Sequence, residues 1–271
     1  MRQKEERSRI EVLPPENLVT IFENLDPISQ KVSRFVCRRW NSVIKERFLD
    51  KDDSQQQRAA DAKINFSAEV ARRGWQSVLE WARSQGCPWG AKTCEAAAAA
   101  GQLELLQWAR EHGCPWNEHA TLAAAEAGHI DVLEWIFEEG GKKPKGGAWN
   151  PTWICANAAK GGHLDVLKWA RAHGCAWTPW TCAFAAENGH LDILRWAREH
   201  GCPWSSQTCA RAAGRGHLKV LQWAREHGCP WDIFTCTLAA AGGHTDVVEW
   251  ARDNGCPFEG DAYDWMEGIY N

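Results

Sequence analysis

The chain has 271 residues, 44% of them hydrophobic and 24% charged, which is ordinary globular material, long enough for a small domain joined to a repeat array. Its formal net charge is −4, and because residues 1–50 hold ten Lys/Arg against eight Asp/Glu, the acidic excess lies beyond them, so binding that relies on phosphate neutralisation is disfavoured and no nucleic-acid partner is expected. No apolar run approaches the ~20 residues that a membrane span needs, and Met1–Arg7 lacks the apolar core of a secretory signal, so the expected address is cytoplasmic or nuclear, with no membrane partner.

Residues 1–9 are charged, lack an apolar face and read as a flexible tail. From Ile10 the pattern turns helical. Pro14 and Pro15 suit a helix entry, Leu18, Ile21, Phe22 and Leu25 follow at helical spacing, and Asp26-Pro27 stops the run. A second helix places Ile28, Val32, Phe35, Val36, Trp40, Val43 and Ile44 on one stripe, with Lys31, Arg34, Arg38 and Arg39 largely off it. A unit of some 40 residues (10–50) buries little apolar surface by itself and needs a partner.

Leu13-Pro14, Ile21, Leu25-Asp26-Pro27 and Val36-Cys37-Arg38-Arg39-Trp40-Asn41 resemble the F-box, whose helices dock onto a Skp-type adaptor and so onto a cullin ubiquitin ligase. The resemblance implies that Leu13, Pro14, Ile21, Leu25, Pro27, Val36 and Trp40 face that adaptor. The alternative is that this apolar face only caps the first repeat. Residues 51–63 are mostly polar and read as a linker.

Beyond the linker, from residue 64 to 258, one unit recurs. Trp81, Trp108, Trp135, Trp169, Trp196, Trp223 and Trp250 follow one another at gaps of 27 residues, except for one gap of 34. That longer gap holds Gly140-Gly-Lys-Lys-Pro-Lys-Gly-Gly147, which reads as a loop insertion. A glycine precedes each tryptophan by seven residues, from Gly74 to Gly243. A fixed period of this size means a solenoid of about seven stacked units.

Each unit reads as two helices. After a Pro-Trp turn comes a helix-capping residue (Asn117, Asn150, Thr178, Ser205 or Asp232, with Gly90 in one copy), expected to supply an acceptor for free N–H groups. A short helix follows with an Ala pair, such as Ala185-Ala186, that lets neighbouring helices approach closely; the periodic glycine ends it. The second helix has Leu191, Ile193, Leu194, Trp196 and Ala197 as its apolar face and ends at Gly201. The Leu, Trp and Cys columns are expected in the core, and residues 259–271 are expected to form a polar C-terminal cap.

Eleven of twelve cysteines fall in two repeat slots, six and thirteen residues after the tryptophan, which marks them as small buried hydrophobes rather than disulfides or metal ligands. Most histidines stand just before or just after a helix-end glycine, where capping explains them. No G-x-S-x-G, G-x-x-x-x-G-K or H-E-x-x-H motif occurs, so neither enzyme, cofactor nor metal is expected.

Ala-Ala-x-x-Gly-His-Leu-x-Val-Leu resembles the helix, turn and helix of ankyrin repeats, although the unit is six residues short of 33 and the T-P-L-H opening is missing. The projecting hairpins are therefore not expected, and the fold class is all-α, an F-box-like motif followed by an ankyrin-like helical-repeat solenoid. Short repeats of this type behind an F-box resemble proteins that some giant DNA viruses encode in large families.

Comparing the copies within the chain isolates positions free of the packing frame, all on the first helices. Lys92, His119, Trp153, Trp180, Gln207 and Phe234 share one such slot, and Phe184 and Arg211 stand in another. Aromatic residues there suit an interface hot spot. The implied function is a non-enzymatic adaptor, the substrate-recognition subunit of a cullin ligase, monomeric outside that complex. The alternative is an interaction module or inhibitor that binds its partner without ubiquitination.

Overall fold

The computed structural model describes residues 67–84, 88–142 and 151–257. The F-box-like segment with its seven expected adaptor contacts, the linker, most of the insertion and the expected C-terminal cap lie outside the described residues. All regular structure among the described residues is helical.

A helical turn at 67–72 pairs with α1 (Gln76–Ser84). Six further pairs follow: α2 (Ala91–Ala99) with α3 (Leu103–Glu111), α4 (Glu118–Ala127) with α5 (Ile130–Lys142), and α6 (Pro151–Gly161) with α7 (Leu164–Ala172). Then come α8 (Pro179–Glu187) with α9 (Leu191–Glu199), α10 (Ser206–Gly214) with α11 (Leu218–Glu226), and α12 (Ile233–Ala241) with α13 (Thr245–Asp253). The insertion is not wholly a loop, because α5 continues through Gly140 and Gly141 to Lys142.

Each first helix packs on the first helices before and after it, and each second helix packs on its own partner. The reason lies in side-chain size. Cys182, Ala183, Ala185 and Ala186 of α8 are buried, as are Cys209, Ala210, Ala212 and Ala213 of α10, so the backbones close up over small groups. Second helices meet their neighbours less closely, which sets the first-helix layer on the inside of the solenoid's curve. Between the layers lies a column of Leu105-Leu106, Val132-Leu133, Val166-Leu167, Ile193-Leu194, Val220-Leu221 and Val247-Val248.

The periodic glycine has two causes. Gly189 has φ +78°, a left-handed conformation that ends α8, and a Cβ placed on it would lie 2.8 Å from the imidazole of His217. The same relation joins Gly162 to His190 and Gly216 to His244. His190, His217 and His244 therefore wedge against the turn of the preceding unit and make no side-chain cap bond, contrary to the capping role their place at a helix start implies. The histidines at the other end do cap. His112, His173, His200 and His227 place Nδ1 at 2.7–2.8 Å from the Trp carbonyl four residues back.

Candidate functional site: the two faces of the solenoid

At the helix N-termini, Asn117 and Asp232 accept through Oδ1 from the N–H of His119 and Phe234, as the sequence implies. Thr178 and Ser205 make no side-chain cap bond. Their carbonyls do the work instead, accepting from the N–H of Thr181 and Thr208 and from the thiols of Cys202 and Cys229, at 3.7 and 3.5 Å for the thiols. These two turn cysteines thus tie the turn back to the start of their own helix pair. Cys114 does so at Gly90 and Cys256 at Asp232.

The ten described cysteines are free and buried. Hydrogen bonding to Cys114, Cys202 and Cys229, with burial behind it, pushes the thiols of Cys94, Cys182 and Cys209 well above their ordinary value. Burial raises Cys155 to about 12 and Cys175 to about 11. Such thiols stay protonated and are poor nucleophiles at neutral pH. Among the described residues no cluster of His, Cys, Asp or Glu is arranged to hold a metal ion, and no helix is long and apolar enough to cross a membrane.

The first-helix face carries the residues that vary between copies. Three of them come together. Trp180 and Phe184 of α8 stand 5.6 Å apart, and the Arg211 guanidinium of α10 lies over both rings, at 4.8 and 5.5 Å. Glu187 pairs with Arg211 and, at 3.5 Å, with Arg215, fixing the arginine across the aromatic pair. Trp153, half-buried on α6, accepts at its carbonyl from Asn157 Nδ2 at 2.9 Å. Lys92 and His119 are exposed on α2 and α4, and Gln207 is half-buried on α10. On α12, Phe234 is 52% exposed beside exposed Ile233 and Leu238, and the three make one apolar patch. Leu238 shares the variable slot of Phe184 and Arg211.

The opposite edge corrects an expectation. The helix tryptophans Trp108, Trp135, Trp169, Trp196, Trp223 and Trp250 are half-buried, packed against the core but outside it. They sit two residues beyond the buried Leu column, where the helix surface turns toward solvent. There they form a ladder. Each turn tryptophan packs on the helix tryptophan of the next unit, Trp177 on Trp196 at 5.9 Å and Trp204 on Trp223 at 6.1 Å. Arg171, Arg198 and Arg225 lie over Trp177, Trp204 and Trp231 at 4.0–4.5 Å, and His173, His200 and His227 stack on Trp169, Trp196 and Trp223 at 4.2–4.3 Å. Where α5 has Phe137 in the arginine slot, the ring packs edge-on against Trp169 and His173.

Residues 10–52 match the F-box domain family. Among solved structures the chain is similar to a human protein described as "ASB11 ankyrin repeat domain", at 14% identity and a TM-score of 0.46, over 60% of this chain and 84% of that one. No curated protein matches the chain. An F-box followed by a helical-repeat solenoid is the layout of a protein-interaction adaptor.

Proposed function

We propose that this protein is the substrate-recognition subunit of a cullin-type ubiquitin ligase. Leu13, Pro14, Ile21, Leu25, Pro27, Val36 and Trp40 dock on a Skp-type adaptor, and the first-helix face holds a target protein near the ubiquitin-conjugating enzyme. The contribution to catalysis is proximity, supplied to another protein's active site. The observation that carries this reading is the F-box match at residues 10–52 in the same chain as a solenoid whose inner face presents Trp180, Phe184 and Arg211 as one cluster. Planar side chains held by a guanidinium and its carboxylate lose little freedom on binding, which is what an interface anchor requires.

The target contacts assigned are Lys92, His119, Trp153, Trp180, Phe184, Gln207, Arg211 and Phe234. Co-expression with a Skp-type adaptor tests the other half. The intact chain recovers the adaptor through purification, and the Leu25→Asp, Trp40→Asp double variant loses it. Equal recovery by both overturns the ligase role.

A further inference from the structure

We infer that the outer edge of the solenoid, across α7, α9 and α11, is a second binding site, for an acidic peptide segment in polyproline II conformation whose carboxylates recur every third residue. It lies on the face opposite the proposed target site and does not depend on that reading. The starting point is a slot just before the helix tryptophan. Only α7 and α9 fill it with a cation, Lys168 and Arg195; the other second helices have Glu80, Gln107, Glu134, Gln222 and Glu249.

Both cations are exposed and reach across to the next unit, Lys168 to the Trp196 ring at 6.0 Å and Arg195 to the Trp223 ring at 5.7 Å. Among the described residues neither has a carboxylate partner. Glu199 is one helical turn from Arg195 and lines the same pocket, yet the guanidinium extends over the neighbouring ring instead. The pocket, of about 540 Å³, is lined by Arg195, Arg198, Glu199, Trp204, Trp223 and His227. Lys219 of α11 replaces the acidic residue that Asp165 and Asp192 supply on α7 and α9, so the local charge is positive on an acidic chain.

The chemistry selects a carboxylate over a nucleic-acid base. Single-stranded nucleic acid needs open ring faces for stacking. Here Arg198 covers Trp204 at 4.0 Å, and His227 stacks on Trp223 at 4.3 Å. What remains uncommitted is the donor edge of Arg195, a fork that fits one carboxylate, while Glu199 opposes a second anion and offers an acceptor to a peptide N–H. The spacing follows from the stack. Neighbouring helices lie roughly 10 Å apart, and a polyproline II segment makes three residues per turn at about 3.1 Å each, so side chains three residues apart share one face and meet Lys168 and Arg195.

The test is fluorescence anisotropy with the full chain at low salt, using a labelled peptide of repeated Gly-Ser-Asp, an isomer with its aspartates contiguous, and a labelled oligothymidylate. The repeated peptide binds best, and Arg195→Gln or Lys168→Gln weakens it about fivefold, the scale of one exposed ion pair. Thermal unfolding stays unchanged, because Gln107 and Gln222 already occupy that slot in this fold. Gln222→Arg adds a third cation and tightens binding. Equal affinity of the variants, no binding by the intact chain, or tighter retention of the oligothymidylate each overturns the site.

Discussion

On the inner side of the curve α8 meets α6 and α10 through Cys182, Ala183, Ala185 and Ala186, all buried, with the Glu187–Arg211 pair at the rim of the seam. On the outer edge α9 meets its neighbours through Trp196, which Lys168 of α7 approaches, and through Arg195, which reaches Trp223 of α11, all partly open to water. One layer coheres by close approach of small groups, which tolerates no added volume. The other coheres by broad rings and flexible cations, which give way. Stability is therefore concentrated where the side chains are smallest, and the outer edge is free to vary in charge from unit to unit.

Substitutions that add or remove volume should separate the layers. The largest effect is expected inside: a Cβ on Gly161 would stand 1.9 Å from the Glu126 carbonyl oxygen, backbone that cannot swing aside, so Gly161→Ala should lower unfolding free energy in urea by about 3 kcal/mol. Trp196→Ala removes a half-buried ring together with its contacts to Trp177 and His200, and should cost about 2 kcal/mol despite deleting far more atoms. An equal or larger loss at Trp196 would reverse the comparison.

The thiol seam sharpens it by pH. Burial raises Cys155 from its ordinary 9.0 to about 12, so its contribution is fully present below pH 9 and is lost as pH rises toward 12. Unfolding free energy measured by urea titration should fall by about 1 kcal/mol for this thiol between pH 9 and 10. A flat profile there would mean that water reaches the seam. The smallest effect is expected outside, where Arg225→Gln gives up the contact with Trp231 and the bond to the Cys229 carbonyl, for under about 1 kcal/mol in the same assay.

The paired helices, the glycine that ends each of them, the Ala seam and the buried thiols were legible because stacking repeats the same constraint every 27 residues. The outer tryptophans were misread as core because Trp196 and its buried neighbours Ile193 and Leu194 share one helical period. Their separation around the helix decides burial, and it depends on how closely the next second helix packs. The wedge histidines were missed because each answers a glycine in the preceding unit, Gly189 for His217, a relation that hydrogen-bond capping within one helix does not express. The first copy carried the clue: Gly74 faces Gln102, so the residue at that slot fills space. The Trp180, Phe184 and Arg211 cluster was visible only as three variable positions; their meeting depends on Glu187 holding the arginine across both rings.

The most direct measurement is quantitative capture from cell extract by three forms of the full chain: unaltered, Leu25→Asp with Trp40→Asp, and Trp153→Ala with Trp180→Ala and Phe234→Ala. The N-terminal double variant should lose the Skp-type adaptor and keep the target, and the triple variant should keep the adaptor and lose the target. A target retained by the triple variant, or an adaptor retained by the double variant, would contradict the assignment of the two surfaces.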